Sequence, residues 1–266
     1  MSPFPPVALG SLLFGLADPR RGHERAYNRW YERDHFYAGV LTGPGVLAGR
    51  RFVATRALKA LRIPAPLPAD GPLRDPSQGS YLVLYAIQAG EHESFSAWAV
   101  ERVQALHREG RMFAEHDQVQ TAFLELSGVV ARDKDGVPPA LVLDHPYGGL
   151  VAAYFEARDG SDGAELARWL AESLWPAKLA GSPIAQVLHF TPLPMPEGAP
   201  APREAAAGAR RLLALCFLDG DPRDVWGRRF AQLAKEVQDA GRGRLLYAAP
   251  FIPTIPGTDR FTDELW

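Results

Sequence analysis

The order of apolar and amphipathic segments along the chain is what most constrains its fold. Segments typical of buried strands and of amphipathic helices follow one another as β-α-β-β-α-β, and the same order then occurs a second time. The predicted strands are Val7–Leu16, Gly49–Leu58, Tyr81–Ile87 and Ala122–Val130, then Leu150–Ala157, Ile184–Phe190, Leu212–Leu218 and Leu245–Ile252. The predicted helices are Gly22–Val40, Glu91–Met112, Gly163–Leu179 and Pro222–Ala240. Such a repeated order indicates an internal duplication.

A proline-rich segment interrupts each half at the same place, between its two middle strands. These segments are Ile63–Gly79 and Thr191–Gly208, and both are predicted to be loops. We predict two halves, residues 1–135 and 140–258, joined by a short turn near Asp133–Pro139, with a C-terminal tail at 259–266. Three alternatives are open for this tail: it docks on the body, it docks on another copy of the chain, or it is disordered.

The repeated β-α-β-β-α-β order is that of the ferredoxin-like unit, in which two helices cover one face of a four-stranded antiparallel sheet. The other face of that sheet is left bare, and an apolar sheet face must be buried against another layer. A second unit in the same chain supplies that layer. We therefore predict the α+β class, with two tandem ferredoxin-like units packed sheet to sheet as a pseudo-dimeric α+β barrel.

Composition limits the partners that the chain is expected to have. Lysine and arginine number 29 against 31 acidic residues, which gives a formal net charge of -2. Without an excess of positive charge, nucleic acid is not an expected partner. The apolar run Val7–Ala17 is too short to span a bilayer, so we expect no membrane association and a cytoplasmic location. The single cysteine, Cys216, excludes an intramolecular disulfide and is predicted to be a small buried hydrophobe.

The first predicted helix ends in a cluster of aromatic, acidic and imidazole side chains. At 100° per residue, an apolar stripe forms that is predicted to face the sheet, and it consists of Tyr27, Trp30, Tyr31, Asp34, Ala38 and Leu41. Asp34 lies near the middle of this stripe, where a carboxylate must be paired or protonated. His35 lies at the border of the stripe, in line with Asn28 and Tyr31.

Two interpretations are open for each member of this cluster. Trp30 and Tyr31 either pack in the core or form the wall of a binding site. Asp34 either forms an ion pair with Arg50 or Arg51 on the next strand or assists His35. For His35 the alternatives are a hydrogen bond to a backbone carbonyl and a role in acid/base chemistry.

A comparison of the two halves predicts a single site. Aligning Trp30 with Trp169 places Leu174 opposite His35, and aligning Phe52 with Phe190 places Ser173 there. Neither leucine nor serine exchanges a proton near neutral pH. We therefore expect the site in the first half, with the second half acting as scaffold or as a degenerate site.

The cluster resembles the EthD-like branch of the dimeric α+β barrel superfamily. Members carry an Asn-x-Trp-Tyr-x-x-x-His pattern late in the first helix, then a Pro-Gly turn and an arginine-rich strand. The corresponding residues here are Asn28 to His35, Pro44-Gly45 and Arg50-Arg51-Phe52. Phe36-Tyr37 departs from the apolar residue and proline that often follow the histidine, and the second half lacks the pattern. The resemblance implies a small, apolar, often aromatic or lactone-like substrate held between the sheet and its helices.

Metal and haem sites have weak support in the sequence. His107, His116 and His145 do not follow a known metal-binding spacing, and no metal site is predicted. A haem would need an axial histidine in an apolar pocket, for which His189 is the next candidate after His35. We therefore predict no cofactor.

Together these residues predict a cofactor-independent enzyme for a small apolar, aromatic or polyketide-like molecule. His35 and Asp34 are the predicted catalytic residues, and the predicted substrate-binding residues are Asn28, Trp30, Tyr31 and Arg51. The expected chemistry is proton transfer next to a carbonyl, as in isomerisation, cyclisation, dehydration or decarboxylation. The alternatives are a non-catalytic binding or carrier protein that uses the same cleft and a haem-binding or cofactor-free oxygenase relative. Assembly into a homodimer is also open.

Overall fold

A computed structural model describes residues 7–161, 163–199 and 210–266 of the chain. Strands in this part of the chain are β1 Leu9–Pro19, β2 Val46–Val53, β3 Tyr81–Gln88, β4 His116–Ala131, β5 Gly149–Ala157, β6 Ile184–Leu193, β7 Arg211–Leu218 and β8 Gly243–Pro253. The α-helices are α1 Glu24–Trp30, α2 Arg56–Lys59, α3 His92–Arg108, α4 Ala164–Trp169, α5 Trp175–Leu179, α6 Trp226–Arg229 and α7 Leu233–Asp239. Two π-helical segments, π1 Tyr31–Leu41 and π2 Leu170–Leu174, directly follow α1 and α4.

The strands form one closed antiparallel barrel in the order β1-β3-β2-β8-β5-β7-β6-β4. Within each half the order is that of a ferredoxin-like sheet, β4-β1-β3-β2 in the first and β8-β5-β7-β6 in the second. The halves join where the second strand of one pairs with the fourth strand of the other. This confirms the predicted fold, an α+β barrel of two ferredoxin-like units.

The two seams between the halves differ in length. The β4–β6 seam runs from the Phe123–Leu193 pair to the Ala131–Gln186 pair. The β2–β8 seam has only two pairs, Phe52–Pro253 and Val53–Ile252. Farther along β8, Ala248 exchanges backbone hydrogen bonds with Ile63 of the first proline-rich segment. That segment therefore continues the pairing with β8 beyond the end of β2.

Alternation along the strands separates the barrel interior from the two helix-covered faces. In the second half, Val151, Ala153 and Phe155 of β5 pack in one apolar cluster with residues of the covering helices. Leu150 and Tyr154 point to the other side, where they share a cluster with residues of the first sheet. The barrel interior is thus the core that the two sheets share, as the sheet-to-sheet prediction requires.

Several predicted boundaries were wrong in informative ways. The predicted helix Gly22–Val40 is α1 followed by π1, and Gly163–Leu179 is α4, π2 and α5. The predicted strand Gly49–Leu58 ends at Val53, and its last residues form α2. The predicted helix Pro222–Ala240 consists of a short 3-10 turn, α6 and α7. Of the second proline-rich segment, residues 200–208 lie outside the described part of the chain.

The C-terminal tail docks on the first half. Leu265 is 1 % exposed, and its carbonyl accepts a hydrogen bond of 3.2 Å from Lys59 Nζ. The indole Nε1 of Trp266 donates to Glu24 Oε1 at 2.6 Å.

Cys216 is fully buried, and burial raises the pKa of its thiol, as the hydrophobic interpretation predicted. In the described ranges, every helix is too short or too polar to cross a membrane.

Candidate functional site

A cavity of about 490 Å³ lies in the first half, between the sheet and the covering helices. Its floor consists of residues on the helix-facing side of the sheet: Leu13, Gly15, Ala17, Tyr81, Val83, Tyr85, Gln118, Thr121 and Phe123. Its walls come from α1, π1 and α3, with Tyr27, Trp30, Tyr31, His35, Val40, Ala99, Val100, Val103 and His107. Cavities of this size and apolar character are typical of sites for small molecules.

The π-helix brings three of these wall residues into line. In π1 the hydrogen bonds run from residue i to i+5, and at its end Thr42 N donates to Tyr37 O. Residues five apart are therefore neighbours, and Trp30, His35 and Val40 all face the cavity. The imidazole of His35 stacks on the indole of Trp30, with 4.5 Å between ring centroids and 21° between ring planes. Regular α-helical geometry would separate these two side chains by about 140°.

His35 is a half-buried imidazole at the cavity wall, and its lowered pKa keeps the ring neutral near pH 7. Burial is the main cause that lowers its pKa to about 4, and the nearby His116 lowers it further. Its Nδ1 is sealed from solvent and has no hydrogen-bond partner among the described residues. That leaves Nε2 as the nitrogen that can meet a molecule in the cavity. Gly39 makes room for the ring, since a Cβ there would lie 2.9 Å from Cε1 of His35.

Two more histidines border the cavity, and no motif or spacing in the sequence indicated this. His116, at the start of β4, contacts the rings of Tyr27 and Trp30 at centroid distances of 5.6 and 5.9 Å. Its Nδ1 lies 2.6 Å from the carbonyl oxygen of Phe113. His107 is exposed and lies at the cavity rim. Because α3 and β4 are joined by a short loop, both residues come close to His35.

The placement of Asp34 corrects the stripe drawn at 100° per residue. π-helical geometry turns Asp34 away from the sheet, and it is absent from the cavity lining. Its carboxylate forms an ion pair with Arg111 of the α3–β4 loop, not with Arg50 or Arg51. The hydrogen bond from Arg111 lowers the pKa of Asp34. The Asp34–Arg111 ion pair therefore holds this loop against π1. Trp30 holds it too, because its Nε1 donates a hydrogen bond of 2.7 Å to Arg111 O.

Asn28, predicted to bind substrate, is absent from the cavity lining. Its Oδ1 accepts a hydrogen bond of 2.9 Å from Arg51 Nη1, and its Nδ2 donates to Thr258 O at 2.9 Å. Both ends of the amide are thus occupied by the protein itself. Asn28 fastens α1 to β2 and to the segment that follows β8.

Arg51, in contrast, does line the cavity. Its guanidinium is held by Asn28 and by Glu32, with 3.1 Å between Nη1 and Oε1, and it lies 4.6 Å above the ring of Tyr31. Its Nη2 is buried and makes no hydrogen bond within the described ranges. At the base of the wall, the hydroxyls of Tyr31 and Tyr85 lie 3.3 Å apart. The cavity thus has a few polar groups set in an apolar lining.

The second half contributes to the rim of the same cavity. Beyond β6 the chain crosses to the first half, where Met195 and Ala199 line the cavity. Gly198 approaches Val100 and Gln104 of α3. The described part of the second proline-rich segment therefore covers the site of the other half.

The equivalent helix–sheet space of the second half is filled. Phe155, Leu170, Trp175 and Phe230 are all 0 % exposed and belong to one apolar cluster. Both π-helical segments begin directly after the aligned tryptophans Trp30 and Trp169, so Leu174 is the counterpart of His35.

Neither histidine considered for haem has the surroundings of an iron ligand. His189 is 2 % exposed on β6 and does not line the cavity. An iron-bound imidazole is normally oriented by a hydrogen bond at its second nitrogen. His35 Nδ1 has no such bond to any described residue. Nor do three or more histidine, cysteine or carboxylate side chains of residues 7–161, 163–199 and 210–266 converge as metal ligands do.

Comparison with known proteins identifies the fold. No protein-family model and no curated protein sequence matches the chain. Among solved structures, an anthrone oxidase-like protein superposes with a TM-score of 0.54 at 10% identity, covering 96% of this chain and 98% of that one. A putative monooxygenase from Fusobacterium nucleatum subsp. nucleatum gives 0.52 at 10% identity, with 94% of each chain covered. A dye-decolorizing peroxidase from Bacteroides thetaiotaomicron gives 0.53 at 8% identity, covering 97% of this chain and 96% of that one. At such identities the likeness is one of fold.

Proposed function

We propose that the first-half cavity binds a small apolar, aromatic or polyketide-like molecule and that the protein is a cofactor-independent enzyme acting on it. The reaction is proton transfer next to a carbonyl, as in isomerisation, cyclisation, dehydration or decarboxylation. The observation that carries the proposal is a neutral imidazole, His35, with one free nitrogen at the wall of an apolar cavity. A positioned histidine of this kind contributes about 100- to 10,000-fold in rate.

Four cavity residues, and Asp34 outside the cavity, have roles in this proposal. Trp30 and Tyr31 form an aromatic wall on which a flat substrate stacks. His35 exchanges a proton or a hydrogen bond with the substrate oxygen or the adjacent carbon. Arg51, with its free Nη2, stabilises negative charge that develops at the buried end. Asp34 acts on the site indirectly, by holding the α3–β4 loop.

A cofactor-free oxygenase is the second candidate. Removal of a proton from an aromatic substrate is also the first step by which a substrate is made reactive toward oxygen without a cofactor. The apolar lining suits this use, and two of the similar structures are named as an anthrone oxidase-like protein and a putative monooxygenase. Oxygen consumption during turnover separates this candidate from the isomerase and lyase reactions.

The proposal includes an evolutionary interpretation. The EthD-like motif, the repeated strand order and the π-helix after each aligned tryptophan all fit a duplicated ancestral unit whose second site has been filled. On this interpretation the second half now supplies scaffold and a cover for the remaining site.

The test is a thermal-shift screen of small aromatic ketones and phenols, followed by mass spectrometry of any product. We expect His35→Ala to keep its fold and its ligand binding and to lose at least about 100-fold in turnover. His145→Ala is the matched control, because His145 lies outside the cavity lining. Binding with no product in the wild-type protein would favour the carrier alternative, and unchanged turnover in His35→Ala would refute the assignment.

A further inference from the structure

A second imidazole, that of His116, lines the cavity. His116 is the first residue of β4, directly after the α3–β4 loop. The rings of His116 and His35 both lie against the indole of Trp30. Nearby His116 is also one of the causes that lower the pKa of His35, as expected for two imidazoles around one space. The two rings therefore border the same end of the cavity.

The hydrogen bond of His116 fixes where its proton lies. Its Nδ1 is 2.6 Å from the carbonyl oxygen of Phe113, and a carbonyl oxygen can only accept. Nδ1 must therefore carry the hydrogen. In the neutral ring this leaves a lone pair on Nε2, so His116 offers an acceptor to the cavity.

His35 is expected to hold its proton on the other nitrogen. Its sealed Nδ1 finds no acceptor in the described part of the chain. A buried N–H without an acceptor is rarer in proteins than a buried acceptor without a donor. The neutral ring therefore carries its hydrogen on Nε2 and offers a donor to the cavity. The two histidines present complementary groups, an acceptor and a donor, around one indole.

We propose that His116 is the base of this site and that His35 is the hydrogen-bond donor that stabilises the enolate. This inference rests on the proposed function and refines it. His116 Nε2 removes a proton from the carbon next to the carbonyl of a flat aromatic ketone, and the C–H electrons move into the enolate. His35 Nε2–H bonds to the enolate oxygen without giving up its proton. The imidazolium of His116 then returns the proton to carbon, so no oxidant or reductant is needed.

The surroundings of His116 suit a transient positive charge. Its Nδ1–H keeps the carbonyl of Phe113 as acceptor in both protonation states. The rings of Tyr27 and Trp30, at centroid distances of 5.6 and 5.9 Å, offer their faces to the imidazolium. A neutral histidine that polarises a carbonyl while another group takes the proton is an established catalytic pattern.

The test uses 2-tetralone in D₂O, with exchange of its α protons followed by NMR and its binding followed by tryptophan fluorescence. Wild-type protein is expected to accelerate exchange. His116→Asn keeps a donor for the Phe113 carbonyl but lacks the base, and is expected to exchange at least about 100-fold more slowly with little change in affinity. His35→Gln keeps a donor near the Nε2 position and is expected to retain at least about a tenth of the wild-type rate, whereas His35→Leu is expected to lose far more.

The outcomes separate this inference from the proposed function. Absence of 2-tetralone binding by the wild-type protein would overturn both. Binding without exchange, a wild-type rate in His116→Asn, or a loss in His35→Gln as deep as in His35→Leu would overturn the assignment of roles alone. If His116→Asn does not fold, His116→Phe preserves the aromatic packing, and the same loss of exchange is expected from it.

Discussion

The two halves of the barrel share a strand order but differ in what fills the space beneath their helices. In the first half that space is a cavity of about 490 Å³, and in the second it is occupied by fully buried side chains such as Phe155 and Trp175. The π-helix after Trp30 has 11 residues, whereas the one after Trp169 has 5 and gives way to an α-helix containing Pro176. Strand order therefore sets the frame of both halves, whereas a few side chains under the helices decide whether the space there is open or filled.

The filled half and the open half are expected to respond in opposite ways to substitution. Trp175→Ala removes a side chain with 0 % exposure from a packed cluster, so it should lower the free energy of unfolding by about 3–5 kcal/mol. Urea unfolding measures this value. A cost below about 1 kcal/mol would show that the second half is not tightly packed. Trp30→Ala, at a cavity wall, should cost less stability but should weaken ligand binding.

The next expected effect concerns pH. Burial lowers the pKa of both His35 and His189 to about 4, against about 6.5 in an unfolded chain. Between these values the unfolded chain binds more protons, so the free energy of unfolding should fall as pH drops from about 6.5 to about 4, by up to about 3 kcal/mol per histidine.

Two variants assign this pH dependence to the halves. His35→Gln and His189→Gln should each flatten part of the slope of unfolding free energy against pH, measured by urea unfolding at several pH values. A ligand in the cavity should change the contribution of His35 and leave that of His189 unaltered. An unchanged slope in both variants would contradict the burial of these neutral rings.

The smallest expected effect is that of breaking the Asp34–Arg111 ion pair. Asp34→Asn removes the charge that pairs with Arg111 at a half-exposed position, so the loss of stability should be below about 1 kcal/mol. Hydrogen exchange of residues 109–115 should nevertheless become faster, because the loop then loses its ion pair with π1 and keeps only the Trp30 hydrogen bond as a side-chain contact of Arg111 with the first helical segment. Arg20→Gln is the control, because it removes a surface ion pair with Glu115. It should change hydrogen exchange at Arg111 less than Asp34→Asn does. Unaltered hydrogen exchange of residues 109–115 in Asp34→Asn would show that the Asp34–Arg111 ion pair does not hold the loop.

Sequence reasoning succeeded where local periodicity decides the outcome and failed where distant residues do. The barrel followed from strand and helix order, because a bare sheet face has few ways to be buried. The partners of Asn28 and Asp34, Thr258 and Arg111, lie far along the chain, so local periodicity could not predict these contacts. His35 was selected through its motif, but its stacking on Trp30 depends on π-helical geometry, which a 100° wheel does not represent.

A calorimetric titration of three proteins with 2-tetralone tests whether the cavity of the first half is the ligand site. Ala99 lines the cavity, and Ala97 is exposed on the same helix. Wild-type protein and Ala97→Phe are predicted to bind one molecule per chain, and Ala99→Phe, which fills the cavity, is predicted to lose at least about 100-fold in affinity. Binding that survives Ala99→Phe, or two equivalent molecules bound per chain, would contradict the account.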